Sequence, residues 1–159
     1  LFSEDTSPVH AEIQRIRPEC TFVIVFAHWG DEYQDEENAA QRRQGRGFVD
    51  AGADLVIGAH PHVVQPVEIY NGRPIFYSLG NFMFDQDFSM ETRWGIAVRM
   101  TLTEDKEVYR LIPVELSKAS TLSFPEKEAF KPRMDVLISK LPEDLKTNAD
   151  IESEFTIPR

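Results

Sequence analysis

Apolar residues form two short, continuous runs in the first part of the chain. They cover Thr21–Ala27 and Leu55–Gly58, and the first is rich in β-branched and aromatic residues. Such runs are typical of strands buried on both faces. Between them, Asp35–Ala51 has acidic residues first and arginines later, and Gly52 stands where a C-terminal cap belongs, which predicts a helix. Together these segments predict a right-handed βαβ unit with parallel strands.

The middle of the chain changes to patterns that predict two antiparallel hairpins. Val67–Tyr70 and Ile75–Ser78 flank Asn71-Gly72, a dipeptide that strongly favours a type I′ turn. Apolar and polar residues then alternate along Ile96–Leu102, and a polar turn leads into Val108–Leu116. This alternation is typical of strands with one face in water. The chain is therefore predicted to belong to the α/β class, with a βαβ unit followed by β-hairpins.

The two ends of the chain are predicted to be helical. Apolar spacings of three and four residues predict a helix over Ser7–Arg17, with Ser7 as N-cap, and a second over Pro132–Leu141. The polar stretch after Leu145 is expected to be loosely held. We therefore expect an α/β domain over residues 1–116 and a helical, partly disordered extension over residues 117–159.

Charge and cysteine content narrow the classes of function. The 159 residues include 17 Lys and Arg against 27 Asp and Glu, a formal net charge of −10. Nucleic acid is excluded as a general partner, because neutralising phosphates needs a basic face. The single cysteine, Cys20, cannot form an internal disulfide or a paired zinc motif. No apolar stretch approaches the roughly 20 residues that a membrane-spanning helix needs.

Three of the four histidines follow the two apolar runs directly. His28 comes after the first run, and His60 and His62 come after the second. The carboxyl ends of parallel strands meet at one edge of a sheet, where ligands collect, so we expect these imidazoles to converge. Strand-like geometry through residues 60–62 would turn both side chains to one side, an arrangement suited to a metal ion. The competing interpretation is that each is a hydrogen-bonded structural or surface histidine.

Polar residues near these histidines are further candidates. Glu32, favoured slightly over Asp31, is expected to orient an imidazole or act as a general acid or base, although both could be solvated loop residues. Asn81 either occupies a turn or reaches the site with its amide, where it would contact substrate. A group of aromatic residues is expected to belong to the core rather than to a ligand platform: Phe76, Tyr77, Phe82, Phe84 and Phe88.

Several motifs occur together in an order that closely resembles the bacterial CapA family, which is associated with capsule and poly-γ-glutamate synthesis. The resemblance covers about residues 13–86. It is carried by His28-Trp29-Gly30, Glu32-Tyr33, the run from Gly52 to Val63, Gln65-Pro66 and the run from Tyr77 to Phe82. It implies a calcineurin-like metallophosphoesterase fold, a β-sandwich flanked by helices.

The resemblance also implies roles for individual residues. His28, His60 and His62 would be ligands of a divalent metal, Mn, Zn or Fe, with Glu32 and Asn81 close by. The family's upstream half normally supplies a Gly-Asp motif, an acidic residue and an Asn-His element, and none of these precedes His28. We therefore expect the chain to be the C-terminal half of a longer protein and the upstream half to be its partner.

Two functions follow from these expectations. The first is a metal-dependent hydrolase-like domain that acts on a phosphoester or an amide-linked polymer such as polyglutamate. The second is a non-catalytic accessory or assembly component of an envelope polymer synthase, with the polymer or synthase components as partners. The resemblance implies a location on the extracytoplasmic side of the cell envelope. The sequence leaves the oligomeric state open, and an incomplete chain without activity of its own remains a third interpretation.

Overall fold

A computed structural model describes residues 5–86, 88–117, 121–146 and 153–159. These residues form an α/β fold in which two four-stranded sheets pack with four α-helices. The elements in chain order are α1 (Ser7–Ile16), β1 (Ile24–His28), α2 (Ala39–Asp50), β2 (Leu55–Ala59), β3 (Val67–Tyr70), β4 (Arg73–Phe76), α3 (Met90–Arg93), β5 (Trp94–Leu102), β6 (Lys106–Leu116), β7 (Leu122–Ser123), α4 (Lys127–Ile138) and β8 (Ser153–Pro158).

The first sheet has the strand order β1-β2-β4-β3 and contains the predicted βαβ unit. Strands β1 and β2 are parallel, with Ile24 opposite Leu55 and His28 opposite Ala59. Strands β3 and β4 form the predicted hairpin, and both turn residues, Asn71 and Gly72, have positive φ angles of 48° and 74°. These angles confirm the type I′ turn.

The predicted starts of α1 and α2 are both wrong. Helix α2 begins after Asn38 rather than at Asp35, because the Asn38 side chain accepts a hydrogen bond from the Gln41 backbone N–H, and the Asn38 backbone N–H donates to the Gln41 side chain in return. This capping box starts the helix at Ala39, four residues later than predicted, and leaves the acidic residues in the preceding loop. The N-cap of α1 is Thr6, and Ser7 is already helical.

Strand β1 differs from its prediction of burial on both faces. Val25 is 8% exposed, but Ile24 is 40% and Phe26 76% exposed on the opposite face. The strand order also makes β1 an edge strand. Its apolar run therefore covers the core on one side and faces solvent on the other.

The second sheet consists of β5, β6, β7 and β8, all antiparallel around β6. The predicted second hairpin is confirmed as β5–β6. The expectation of a loose chain end is wrong for β8, which pairs with β6 and buries Phe155 and Ile157. Residues 147–152 lie outside the described residues.

Helix α4 closes the core between the two sheets. It begins at Lys127, so the predicted start at Pro132 is wrong and the proline lies inside the helix. Phe130, Met134 and Leu137 are at most 2% exposed in this core, and Phe130 meets the Trp94 ring at 5.6 Å. Part of the segment beyond residue 116 is thus packed into the α/β core. None of the helices among the described residues is both long and apolar enough to span a membrane.

Candidate metal centre

Three side chains meet beyond the carboxyl ends of β1 and β2. Glu32, His60 and His62 each bring one ligand atom within 4.8 Å of the others. The Nε2 atom of His62 lies 4.0 Å from Oε1 of Glu32, a separation that a shared cation could bridge. Two imidazoles and one carboxylate form the donor set of several catalytic zinc and non-haem iron sites. The predicted edge of the sheet thus carries a group that fits a divalent metal.

The backbone that brings the two histidines together is not strand-like, contrary to the prediction. His60 has a φ angle of 102° and His62 one of 60°. Residues other than glycine rarely adopt this left-handed backbone conformation, and such strain is concentrated at functional sites. Tyr33 and Gly30, in the loop that carries Glu32, also have positive φ angles, of 62° and 87°. The convergence therefore depends on tight bends on both sides of the site.

His28 lies beside the triad rather than within it. Its ring centroid is 4.8 Å from that of His60, and its backbone is opposite Ala59 at the end of β1. Burial, followed by the charge of His28, holds the pKa of His60 below its ordinary value. A lowered pKa favours the neutral imidazole, which is the form that binds metals.

Asn81 orients His62 through a short hydrogen-bond relay. Its Nδ2 donates to the Thr92 carbonyl at 2.8 Å, so Oδ1 is the atom that faces His62 Nδ1 at 2.9 Å. His62 Nδ1 then carries the proton and donates it to Asn81, which leaves Nε2 with a lone pair for a cation. The substrate-binding role of Asn81 stays a prediction, and the contacts of its amide are those of an orienting group.

The loop that carries Glu32 is fixed by buried amides that the sequence analysis did not single out. The Tyr33 backbone donates to the Pro61 carbonyl at 2.8 Å, which ties this loop to the histidine segment. Gln65 is fully buried and donates to the carbonyls of Gln34 and Glu36, while it accepts a hydrogen bond from Gln41. The one sequence signal for these amides was Gln65-Pro66, which is among the motifs that carry the family resemblance.

Aromatic side chains form a rim on one side of His62, which we call the aromatic rim and define as Tyr33, Phe84 and Phe88. Phe84 lies 4.8 Å from the His62 ring, and Tyr33 contacts both His62 and Phe88, at 6.1 and 5.2 Å. The core prediction holds for Phe76 and Tyr77, which are fully buried. It is wrong for three others, because the chain between β4 and α3 bends outward around the site: Phe82 is 53%, Phe84 49% and Phe88 66% exposed.

The sequence is similar to those of bacterial capsule and PGA biosynthesis proteins. The chain is 40% identical over 109 residues to the PGA biosynthesis protein CapA of Bacillus subtilis (strain 168), which is 68% of this chain and 28% of that protein. It is 37% identical over 99 residues to the capsule biosynthesis protein CapA of Bacillus anthracis, covering 62% of this chain and 24% of that protein. The chain thus spans about a quarter of the length of these relatives.

A shorter similarity extends to mycobacteria. A probable polyglutamine synthesis accessory protein of Mycobacterium tuberculosis (strain ATCC 25618 / H37Rv) is 34% identical over 64 residues, 40% of this chain and 17% of that protein. The family described as bacterial capsule synthesis protein PGA_cap matches residues 2–86, and this range holds the histidines, Glu32 and Asn81. Because the match covers more than half of the chain, this chain belongs to the bacterial capsule synthesis protein family PGA_cap.

Proposed function

We propose that this chain carries the metal-binding part of a metal-dependent hydrolase-like domain in a protein of capsule or poly-γ-glutamate synthesis. The observation that carries the proposal is the convergence of Glu32, His60 and His62 within 4.8 Å at one edge of the sheet. The donor set suits Zn, Fe or Mn. A bound divalent cation would supply Lewis-acid activation of water and of a substrate oxygen.

Individual residues of this chain would have different roles in binding the cation. His60 and His62 would each give one nitrogen to the cation, and Asn81 would hold the His62 ring in the tautomer that binds. Glu32 would give a carboxylate oxygen, a ligand role that replaces the acid–base role expected from the sequence. His28, beside His60, would be a further ligand at the open side of the site or would orient a substrate oxygen.

The acidic character of the chain affects how it would bind an anionic substrate. The net charge is −10, so a phosphoester or a polyglutamate would be repelled by the averaged field of the protein. The cation reverses the sign locally and would draw the anionic group to the triad. Binding of such substrates should therefore depend on the metal.

Metal titration tests the centre directly. We expect Zn²⁺ and Mn²⁺ to bind the wild-type chain in calorimetric titrations, and His60→Asn to lower the affinity by more than the roughly 10–100-fold that loss of an outer partner costs. His10→Asn is the matched control, because it removes an imidazole from α1, where His10 packs against Phe48. Equal affinity of the wild type and His60→Asn would overturn the proposed centre.

Hydrolysis is tested separately on this chain and on the longer protein, each loaded with metal. The probes are a p-nitrophenyl phosphate ester and a γ-glutamyl peptide, each compared between the wild type and Glu32→Gln. Metal-dependent turnover that Glu32→Gln reduces would support the hydrolase. Metal binding without turnover of either probe by the longer protein would remove the hydrolase and leave the second candidate.

The second candidate is an accessory or assembly component of an envelope polymer synthase. It is favoured by the exposed aromatic rim, and the mycobacterial relative is named an accessory protein. This candidate predicts that His62→Asn leaves polymer production intact, while Phe84→Ser and Phe88→Ser in the aromatic rim abolish it. The hydrolase predicts the opposite order of effects.

We further propose that the upstream part of the longer protein covers β1 and that the protein works on the extracytoplasmic side of the cell envelope, with the polymer or synthase components as partners. The open edge of β1 and the exposed Ile24 and Phe26 support a covering strand or helix.

Family membership supports the location. Protease accessibility of the longer protein in intact cells tests the location, since a cytoplasmic protein would stay protected.

A further inference from the structure

A largely buried arginine on helix α4 contacts two loops that lead to the metal centre. The Arg133 side chain, on α4, is only 11% exposed. Its Nη1 donates to Asp35 at 2.5 Å, and its Nη2 lies 3.3 Å from a Glu91 carboxylate oxygen. A guanidinium group can hold two carboxylates at once in a fixed planar arrangement. Arg133 thus joins two loops that are far apart in the sequence.

The first of these loops carries a member of the triad. Asp35 lies three residues after Glu32, in the loop between β1 and α2. Lys140, just after α4, contacts the same loop through both carboxylate oxygens of Glu37, at 2.6 Å each. The end of the helix and Arg133 therefore hold this loop at two points. Any change at Arg133 would reach Glu32 along three residues of backbone.

The second loop leads to the other side of the triad. Glu91 is in α3 next to Thr92, whose carbonyl accepts the hydrogen bond from Asn81. Asn81 in turn contacts His62 at Nδ1. Displacement of Glu91 would therefore move the group that aims His62. Through the carboxylates that it binds, Arg133 is therefore connected both to the loop that carries Glu32 and to the residues that orient His62.

The helix that presents Arg133 is a rigid support. Phe130, Met134 and Leu137 on α4 are each at most 2% exposed, so the helix backbone is anchored in the core. A side chain on such an element can fix the position of loops that pack against it. Arg133 also lies outside residues 2–86, the range that matches the family, so its contribution is separate from the matched motifs.

We infer that Arg133 is a positioning residue, which sets the distance between Glu32 and His62 through Asp35 and Glu91. This inference rests on the proposed metal centre. It assigns the C-terminal helix a part in metal affinity and in coordination geometry, in addition to its part in the core. Removal of the guanidinium should loosen both loops and leave the ligands themselves present.

The test compares four variants in Zn²⁺ titrations and in the visible absorption spectrum of the Co²⁺-loaded chain. Arg133→Gln is expected to lower Zn²⁺ affinity by about 10-fold, the lower end of the range for groups that hydrogen-bond a ligand directly, because Arg133 acts through two carboxylates, and to change the Co²⁺ spectrum. Arg133→Lys keeps the charge but cannot hold two carboxylates in a fork, so we expect a smaller loss. Lys131→Gln, on the same helix, is the matched charge control, because Lys131 forms an exposed ion pair with Asp135 one turn further along α4.

Stability is separated from positioning by Ile138→Val. This core change in α4 should cost about 0.5–1.5 kcal/mol of folding free energy and leave Zn²⁺ affinity and the Co²⁺ spectrum unchanged. If Arg133→Gln fails to fold, Asp35→Asn and Glu91→Gln test the same connections one arm at a time. Each should then weaken Zn²⁺ binding.

The outcomes distinguish the inference from the function on which it rests. Near wild-type Zn²⁺ affinity and an unchanged Co²⁺ spectrum in Arg133→Gln, with binding lost in His60→Asn, would overturn the positioning role and leave the metal centre intact. A loss of affinity in Ile138→Val equal to that in Arg133→Gln would assign the effect to stability and also overturn the inference. Absence of metal binding by the wild-type chain would remove both.

Discussion

The two sheets of this protein differ in where they place unusual backbone. Every positive φ angle among the described residues falls between Gly30 and Gly80, in or beside the first sheet. The second sheet pairs β5 with β6 without interruption, from Trp94 opposite Glu115 to Leu102 opposite Glu107. Regular pairing satisfies the backbone at low cost, whereas left-handed residues cost free energy and persist only where surrounding contacts hold them. The difference teaches that the regular sheet is a support and the bent one carries the candidate chemistry.

Burial follows the same division. The second sheet and α4 supply most of the larger core, which includes Tyr109, Leu111 and Phe155. The first sheet contributes a smaller core around Trp29 and Tyr77 and leaves one face of β1 in solvent. A strained edge and an open face are tolerable because the larger core stabilises the remainder. Substitutions that act on one sheet or on the contact between them should reveal this division.

The largest effect is expected from Gly58→Ala in β2. A Cβ atom at this position would lie 2.0 Å from the Tyr77 carbonyl oxygen and 2.4 Å from Trp29 Nε1. Both atoms belong to a buried hydrogen bond, so neither can move without loss. We expect a loss of more than about 4 kcal/mol of unfolding free energy, or failure to fold, measured by urea denaturation.

Gly72→Ala is the control for Gly58→Ala. No atom lies within 4 Å of a Cβ at Gly72, but its φ of +74° is strained for alanine, so the expected cost is about 1 kcal/mol. Equal costs for the two variants would show that close packing behind the strand ends does not limit the first sheet.

A smaller loss is expected when the link between the sheets is cut. Arg73 on β4 donates to Glu107 on β6 at 2.7 Å and lies 3.2 Å from an Asp54 oxygen. Glu107 is fully buried and also accepts from the Tyr109 hydroxyl at 2.6 Å. Arg73→Met leaves a buried carboxylate without its cation, which should cost about 3 kcal/mol in guanidinium unfolding.

A second substitution checks the cause of that loss. Glu107→Gln removes the buried charge, so the double variant Arg73→Met with Glu107→Gln should be more stable than the sum of the two single losses predicts. Additive losses would mean that the two side chains act independently and that this contact does not join the sheets.

Local patterns predicted the parts of the fold that local forces determine. Continuous apolar runs identified β1 and β2 and their parallel order, and Asn71-Gly72 identified the hairpin turn. Strand β8 was missed because it follows a polar segment and the residues of β6 that pair with it lie 42 to 52 residues earlier, so nothing nearby signals the pairing. Burial of β8 depends on a tertiary contact that a local window does not contain.

The candidate site was likewise predictable only where local sequence determines it. The position of His60 and His62 after a buried strand predicted that they would meet near His28, and Glu32 was recognised as a neighbour. Their left-handed backbone was not predicted, because it depends on what packs behind each bend rather than on spacing. Arg133 was invisible for a comparable reason: its partner Asp35 is 98 residues away in the sequence.

Acidification is expected to weaken the first sheet through Glu68, a more modest effect. Burial would raise the pKa of Glu68, but hydrogen bonds from Arg46 and from Tyr77 outweigh it and hold the pKa below its ordinary value of 4.5. A lowered folded-state pKa contributes stability above pH 4.5, and this contribution disappears as pH falls through the folded-state value. Thermal unfolding from pH 7 to pH 3 should therefore show a smaller acid loss in Glu68→Gln.

At pH 7, Glu68→Gln should itself cost about 1–2 kcal/mol, because hydrogen bonds to a charged group are replaced by neutral ones. Glu104→Gln, in the exposed turn between β5 and β6, is the control and should leave the pH profile unchanged. A wild-type profile in Glu68→Gln would assign the acid sensitivity to other carboxylates.

The smallest effect is expected on the open face of β1, and it tests the difference between an exposed and a buried position within the first sheet. Phe26 is 76% exposed and Phe76, in the same sheet, is fully buried. Phe26→Thr keeps a residue that suits a strand and should change the unfolding free energy of this chain by less than about 0.5 kcal/mol, whereas Phe76→Thr should cost at least about 3 kcal/mol. In the longer protein, a segment that covers β1 would bury Phe26, so Phe26→Thr should then cost well over 1 kcal/mol. A cost that stays small in the longer protein would remove the proposed cover, and a large cost in the present chain would mean that this face is already packed.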